Sequence, residues 1–320
     1  MQIEQCYNKD YTFVDVRSPA EFEEDTVPNS INIPLFENDE RAIVGTIYKQ
    51  QSKEKAVEKG LEIVKEKLGD FYKEFSKLKQ PLIIFCWRGG MRSKSIVQYL
   101  ESFDIKANQL EGGYKAYRAF VREELTKVEI PKSLVLFGLT GADKTGVIKQ
   151  LDNGLDLEGC ANHRASILGD IGLKANKQKK FESLLLKRLL GLQNKDFIVI
   201  ECESRKIGKN TIPDKVFEKI KNPWKTVFLE KTVEERVEIS FKNYYNDNKE
   251  EILSKLKLIK KTLGKKKLEQ VTQLLNEDKI KEAIEFMLIE YYDGYYKKLF
   301  VNFDYTVKSD KEFFDLIKTL

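Results

Sequence analysis

The sequence predicts an α/β protein of two domains with mainly parallel sheets, the second domain carrying a helical C-terminal extension. Three observations predict this. Short continuous apolar runs such as Leu82-Ile83-Ile84-Phe85 and Leu134-Val135-Leu136-Phe137, the pattern of strands buried on both faces, alternate with helical periodicities. The 320 residues amount to about two domains at roughly 150 residues each. The charged stretch Glu124–Lys132, which contains Pro131, reads as a boundary and places a first domain at 1–128 and a second at 129–320.

The elements follow in order. Thr12 to Val16 is a short apolar strand, and Ser18-Pro19-Ala20-Glu21 then starts a helix, with Ser18 as cap, Pro19 in the first turn and Glu21 three residues on. Ile31-Asn32-Ile33-Pro34 is a second strand-like piece. Val57, Leu61, Val64, Leu68, Phe71, Phe75 and Leu78 recur at helical spacing, which predicts one long helix over 53–78, broken near Gly69. Leu82–Phe85 is a buried strand, followed by a helix from about Ser93 to Phe103. In the second half, Ser133–Phe137, Phe197–Glu201 and Thr226–Leu229 read as strands. After Val233 the chain is helical and Lys-rich (about 234–300), with tyrosine pairs at 244–245, 291–292 and 295–296, until a last strand at Phe303–Val307.

Composition bounds the function. Apolar types make up 41% of the chain and charged types 33%, enough for compact cores and too ordered a mixture for wholesale disorder. Fifty-six Lys+Arg against 51 Asp+Glu leave +5, which allows a polyanionic partner without requiring one. No apolar stretch is long enough for a membrane span, and the N-terminus lacks a basic-then-apolar signal pattern. Cys6, Cys86, Cys160 and Cys202 share no CxxC spacing, which argues against a disulfide scaffold or zinc ribbon. A single histidine, His163, leaves little room for His-based triads or His-rich metal sites. The expectation is a soluble cytoplasmic protein with reduced thiols and no structural metal.

Cys86-Trp87-Arg88-Gly89-Gly90-Met91-Arg92-Ser93 lies between a buried strand and a helix. There, successive backbone N–H groups point into one concavity and favour an anion, including the Cys86 thiolate itself. Gly89 and Gly90 let the backbone curl around a guest, and Arg92 can close the cradle with a bidentate fork. The plain alternative is a structural cysteine at a strand end.

Four segments in order resemble a rhodanese domain over about residues 1–125: Val14–Phe22, Val27–Pro34, the cysteine loop and Glu111-Gly112-Gly113-Tyr114. The resemblance implies that Cys86 carries sulfur or selenium as a persulfide-type adduct. Five residues separate Cys86 from Arg92, where many rhodaneses have four; the longer loop is similar to that of Cdc25-type phosphatases and suits a larger anion such as a phosphate ester or selenophosphate.

Gly138-Leu139-Thr140-Gly141-Ala142-Asp143-Lys144-Thr145 follows a strand and precedes a helix, the context of a P-loop, so the second domain is expected to be P-loop NTPase-like. In such a loop Gly138, Gly141 and the backbone amides hold a di- or triphosphate, Lys144 reaches its outer oxygens and Thr145 can ligate Mg²⁺. The glycine expected before the lysine is Asp143. Its carboxylate either faces the phosphates, where one like-charge contact at about 4 Å costs about 4 kcal/mol, or pairs with Lys144, or points to solvent at far smaller cost. The alternative to a weakened phosphate site is a decayed loop kept for structure.

A rhodanese loop and a P-loop in one polypeptide, together with Leu157–Ser166 and Ile200–Gly208, resemble the tRNA 2-selenouridine synthase family. That resemblance implies a tRNA-modifying enzyme acting on the wobble 2-thiouridine of the anticodon loop. It uses geranyl diphosphate to alkylate the sulfur and selenophosphate to replace it, with selenium on Cys86 and the diphosphate on the P-loop. His163 and Arg164 then either bind diphosphate or position tRNA, or His163 is simply structural. Glu201 or Glu203 can hold Mg²⁺ in the manner of a Walker-B acid, unless Glu203 pairs with Arg205. Lys255, Lys257, Lys260, Lys261, Lys265, Lys266 and Lys267, backed by Ile252, Leu256, Ile259 and Leu263, are either a solvated helix face or a contact to the tRNA backbone. Two rival functions stay open: a Cdc25-like phosphatase or plain sulfurtransferase, and a non-catalytic tRNA-binding protein with a decayed P-loop.

Overall fold

The computed structural model describes residues 1–244, 249–296 and 302–320, with the side chains of Tyr244, Tyr295 and Tyr296 outside that description. It divides into two units: Met1–Lys127 with Glu182–Lys187, and Val128–Phe181 with Arg188–Leu320.

The first unit contains β1 (Thr12–Asp15), β2 (Ile31–Asn32), β3 (Leu82–Phe85) and β4 (Ala107–Gln109), all parallel in the order β2-β1-β3-β4. β3 is buried at every position, as its unbroken apolar run requires. The helix Pro19–Glu24 begins at Ser18 with a reciprocal Ser18–Glu21 capping box, as the sequence predicts. The predicted 53–78 helix is two helices, Lys53–Lys65 and Leu68–Phe75, and the break falls at Glu66–Lys67 rather than at Gly69. The second helix sends Phe71 and Phe75 into the core beside Val14, Ile84 and Leu100, and Lys67 at the break is tied by an ion pair to Glu40.

The second unit contains β5 (Lys132–Phe137), β6 (Gly154–Leu155), β7 (Phe197–Glu201), β8 (Lys206–Ile207), β9 (Asn210–Thr211), β10 (Lys225–Leu229) and β11 (Tyr305–Val307). Five are parallel in the order β11-β10-β5-β7-β6, and β8 and β9 form an antiparallel pair. The last strand starts at Tyr305 rather than Phe303. Asp304 turns its carboxylate back to accept from the Thr226 amide at 2.8 Å, and the Phe303 ring stacks on Phe228 instead of extending the strand. β4, β6, β8 and β9 went unpredicted because two or three residues carry no readable period.

The Lys-rich stretch is not one helix. It runs as Lys249–Leu256, a 3₁₀ turn at Lys257–Ile259, Lys260–Leu263 and Lys265–Asn276, with Gly264 at φ +86° making the last break. Ile252, Leu256, Ile259 and Leu263 are buried in a separate helical core with Val271, Leu275 and Met287.

The loop after β1 rests on a buried ion pair. Arg17 and Asp15 are both almost fully enclosed, 2.6 Å apart, and the guanidinium also donates to the Asp25 carbonyl at 2.7 Å and lies 3.9 Å above the Tyr114 ring. Removing the cation leaves an uncompensated buried carboxylate, so Arg17→Met is expected to destabilise the protein by about 3–5 kcal/mol. Urea unfolding followed by circular dichroism measures this, and a loss below about 1 kcal/mol contradicts the account.

Candidate functional site

Cys86 is the first residue after β3, and the helix Met91–Glu101 begins five residues later with Gly90 as its cap. The thiol is buried at 3% exposure. Burial by itself raises its pKa, yet the balance lies below the ordinary thiol value. The Ser93 hydroxyl, 3.2 Å from the sulfur, does most to lower it, followed by the charge of Arg92 and the backbone amides of Ser93 and Gly90. Gln109 at the end of β4 donates to Ser93 Oγ at 2.8 Å, which leaves the hydroxyl proton for the sulfur or for the Gly90 carbonyl at 3.3 Å. Arg92 is tethered by Glu21 at 3.4 Å, so an arriving anion competes with that carboxylate. Trp87 leans on Tyr114 with ring centroids 5.3 Å apart, while Arg88 and Met91 are exposed.

The loop's shape is set from behind. Tyr114 N–H donates to the Cys86 carbonyl and Lys115 N–H to that of Trp87, both at 2.9 Å. Gly113, at φ +57°, lies so close that an added Cβ would collide with the Cys86 carbonyl oxygen and the Gly89 amide. Gly89, at φ +62°, is needed for the same contact, since its Cβ would come 2.7 Å from the Leu110 carbonyl oxygen. This corrects the expected role of the glycine pair. Gly89 admits the neighbouring backbone rather than a guest, and Gly90 has open space where a Cβ would stand.

In the second unit the phosphate loop 138–145 leaves the C-terminal end of β5 and leads into the helix Lys144–Lys149. Asp143 sits at φ +62°, the left-handed region that explains why glycine is usual at this position. Its carboxylate packs on Gly146 instead of pairing with Lys144 or pointing to open solvent. Burial raises its pKa, Asp310 raises it further, and the Gly146 amide with Lys231 and Lys149 oppose the rise. Lys144 donates to the Gly138 carbonyl at 3.1 Å.

Glu201 is the last residue of β7, the strand beside β5, so both reach the same edge of the sheet. Thr145 Oγ1 lies 2.7 Å from Glu158 and 2.8 Å from Glu201, and the Glu158 amide donates to Glu201 at 2.8 Å. Glu158, Glu201 and Glu203 bring carboxylate oxygens within 4.8 Å of one another. Burial raises all three pKa values, and neighbouring carboxylates add to the rise, Asp156 at Glu158 and Glu158 at Glu201 and Glu203. The Thr145 hydroxyl and Lys144 oppose it at Glu158, and Lys144 at Glu203, which is pushed up to about 7. One hydroxyl proton cannot serve two carboxylates, and this surplus of oxygen acceptors beside a phosphate loop fits a hard divalent cation.

A cavity of about 850 Å³ opens over this cluster, lined by the phosphate loop, Glu158, His163, Arg164, Glu203 and Tyr291, among others. His163 is 9% exposed and wedged between Gly169 and Gly208, its Nδ1 has no hydrogen-bond partner among the described residues, and burial, with Lys255 and Arg164, lowers its pKa against Asp170. Arg164 donates to the Ile171 carbonyl at 3.0 Å. Arg205 does not pair with Glu203 but with Asp214, over the Phe217 ring. Lys255 turns inward to an ion pair with Asp170, Lys267 pairs with Glu290 at 2.7 Å and Lys265 lies 3.8 Å from Glu269. Lys257, Lys260, Lys261 and Lys266 are exposed. Of the tyrosine pairs, 291–292 lines the cavity. Tyr245 and the side chains of Tyr244, Tyr295 and Tyr296 lie outside the described residues.

Sequence reasoning missed Ser93 and Gln109 behind the thiol, Glu158 in the carboxylate cluster, and Arg236. That arginine is 1% exposed, donates to the Thr140 carbonyl at 2.8 Å and pairs with Asp293 at 2.6 Å, fixing the phosphate loop from the helix Val233–Tyr244. Ser93 and Glu158 stood inside recognised motifs. Gln109 and Arg236 gave no local signal.

A family model described as the tRNA 2-selenouridine synthase AAA domain matches residues 131–312, and a rhodanese-like domain model matches residues 3–120. The tRNA 2-selenouridine synthase of Pseudomonas syringae pv. tomato is 35% identical over 245 residues, 73% of this chain and 66% of that protein, so the chain spans just under two thirds of this relative's length. Those of Pseudomonas syringae pv. syringae and Hydrogenovibrio crunogenus are both 31% identical, covering 90% and 92% of this chain and 88% and 90% of theirs. A crystal structure of an N-terminal domain from Clostridium difficile 630 covers 38% of this chain and 97% of its own, at 50% identity and a TM-score of 0.37.

Two predictions follow from the geometry. Cys86 should alkylate with iodoacetamide at lower pH than the other cysteines, since burial holds Cys6 and Cys202 up at about 11 and Cys160 at about 12. Losing a hydrogen bond to the charged sulfur, Ser93→Ala should move its profile to higher pH and slow reaction near neutrality by about tenfold; coincident profiles for Cys86 and Cys202 would refute this. Separately, Asp143→Asn keeps the side chain's shape and removes its charge. It should tighten inorganic diphosphate binding by several-fold, roughly 1 kcal/mol for a partly screened repulsion, in titration calorimetry, and an unchanged Kd counts against the charge.

Proposed function

The chain belongs to the tRNA 2-selenouridine synthase family, and on that premise we propose that it converts the wobble 2-thiouridine of tRNA to 2-selenouridine, first geranylating the sulfur with geranyl diphosphate and then exchanging it for selenium from selenophosphate. The observation that carries the reading is the buried Cys86 thiol held toward its anionic form in a chain that also carries a phosphate loop facing a large cavity.

The order of steps follows from leaving-group chemistry. A thiolate departs poorly from C2, whereas an alkylated sulfur departs as geranylthiol. In the first step the thiouridine sulfur attacks C1 of the geranyl group, an S–C bond forms, the C–O bond breaks, and diphosphate leaves with the base losing a proton. Lys144 and the loop amides would hold that diphosphate, Lys144 giving up its bond to the Gly138 carbonyl. Thr145, Glu158, Glu201 and Glu203 would hold Mg²⁺, which when bound neutralises phosphate charge.

In the second step the C2–Se bond forms and the C2–S bond breaks. Selenium held on Cys86 is two electrons more oxidised than in selenophosphate. Loading breaks the P–Se bond by hydrolysis to phosphate and forms S–Se while a disulfide accepts the two electrons. Once selenium is bonded to C2, two thiols reduce the S–Se bond, become a disulfide and free the Cys86 thiolate. Ser93, Arg92 and the Gly90 amide stabilise the sulfur anion once its cargo has gone. The wobble base is unpaired in its loop, so presenting it costs little unstacking. Lys260, Lys261 and Lys266 are exposed cations suited to the RNA backbone; Lys255, Lys265 and Lys267 already face carboxylates. Among the described residues no helix is long and apolar enough to cross a membrane, and action on tRNA supports a cytoplasmic site.

Cys86→Ala is expected to lower 2-selenouridine formation by roughly 100-fold or more while S-geranyl-2-thiouridine accumulates, and Lys144→Ala to lose the geranylated nucleoside itself. Mass spectrometry of nucleosides from tRNA treated with purified protein reads both; continued selenation by the Cys86 variant overturns the proposal.

A further inference from the structure

Beside the phosphate cavity lies a second cavity of about 60 Å³ within the helical part of the second unit. Its wall is aliphatic, built from Ile252, Leu256, Val271, Leu275, Ala283 and Met287 with their neighbours. Thr140, Ser240 and Tyr292 line both cavities, so the two adjoin at the phosphate loop. Thr140 belongs to that loop and is held there by Arg236. Ser240, one turn further along the same helix, is 4% exposed, and its hydroxyl has no hydrogen-bond partner among the described residues. It stands so close to the loop that a Cβ on Gly141 would come 2.7 Å from its oxygen.

A buried hydroxyl without a partner is costly in a finished core and is accounted for where a ligand atom completes it. The aliphatic wall, by contrast, offers nothing to a nucleobase, which needs donors and acceptors along its edge. Small apolar cavities stay dry and take hydrocarbon readily. Phosphate loop, orphan hydroxyl and aliphatic recess therefore follow one another in the order of an ester's parts: phosphates, bridging oxygen, hydrocarbon.

We propose that the recess receives the distal end of the hydrocarbon chain of a prenyl diphosphate lying across the larger cavity, with the Ser240 hydroxyl donating to the oxygen that joins chain and phosphate. The inference rests on reading the loop as a diphosphate site and adds where the chain lies and which residues measure its length. Ala283, the smallest aliphatic side chain in the wall, sets the depth available.

The test is titration calorimetry on the full chain with inorganic diphosphate, dimethylallyl diphosphate, geranyl diphosphate and GTP. Geranyl diphosphate should bind about tenfold or more tighter than inorganic diphosphate, with the five-carbon ester between them. Ala283→Leu should shrink that gap to a few-fold while leaving inorganic diphosphate unchanged. Should that variant fail to fold, Val271→Ala, which deepens the recess, should shift preference toward farnesyl diphosphate. Ser240→Ala should weaken both esters several-fold and inorganic diphosphate less. Diphosphate binding with no gain from the chain, a gap unmoved by Ala283→Leu or Val271→Ala, or tighter binding of GTP than of geranyl diphosphate overturns this inference alone. Failure of every diphosphate to bind overturns the proposed function and this inference with it.

Discussion

A negative charge on sulfur survives inside a protein only where fixed dipoles replace the water it has lost, and the first unit is organised around that requirement. The apolar strand β3 drives Cys86 into the interior, which on its own would raise the thiol pKa, as loss of solvation does at the half-buried Cys160 and Cys202. The difference at Cys86 lies in what faces the sulfur: one hydroxyl, one guanidinium and two backbone amides, all on the loop or the first turn of the helix it opens. Those groups point inward because Gly113 and Gly89 let two stretches of backbone approach more closely than any side chain would permit. Reactivity at one atom is thus secured in part by packing of Leu110 and Gly113, more than twenty positions away.

The second unit concentrates like charge instead. Three carboxylates converge beneath a phosphate loop, two of them on one threonine hydroxyl, an arrangement that repels itself unless cations share the space. Lys144 supplies one, and its charge opposes the rise in pKa at Glu158 and Glu203. Arg236 is a buried cation near the loop, but its guanidinium pairs with Asp293 and donates to Thr140, so it acts as a brace.

What was legible in the sequence had local form. β3, β5 and β7 announced themselves by continuous apolar runs, the capped helix at Pro19 by Ser18 and Glu21, and the two loops by glycine spacing next to chemistry-bearing side chains. The rest depends on contacts across long sequence separation. Gln109 reaches Ser93 because β4 lies beside β3, and Arg236 reaches Thr140 across 96 residues. No window of neighbouring residues contains either fact. The Lys-rich run misled in a different way: its charge pattern is uniform, while the fold turns Lys255 inward to Asp170 and leaves Lys260 and Lys261 outside.

Asp143 illustrates why a motif's missing glycine need not abolish its function. The backbone there is left-handed, so the demand on the residue is first conformational, and aspartate meets it better than most side chains. The electrostatic demand is met by direction. A carboxylate aimed at the phosphates would oppose them at contact distance, where the cost is about 4 kcal/mol at an effective dielectric near 20. Turned onto Gly146 with Lys231 and Lys149 nearby, the charge is partly neutralised although Asp143 still lines the phosphate cavity. Coulomb energy falls with separation and is divided again by screening, so the same substitution that reads as a defect in one dimension becomes a modest weakening in three.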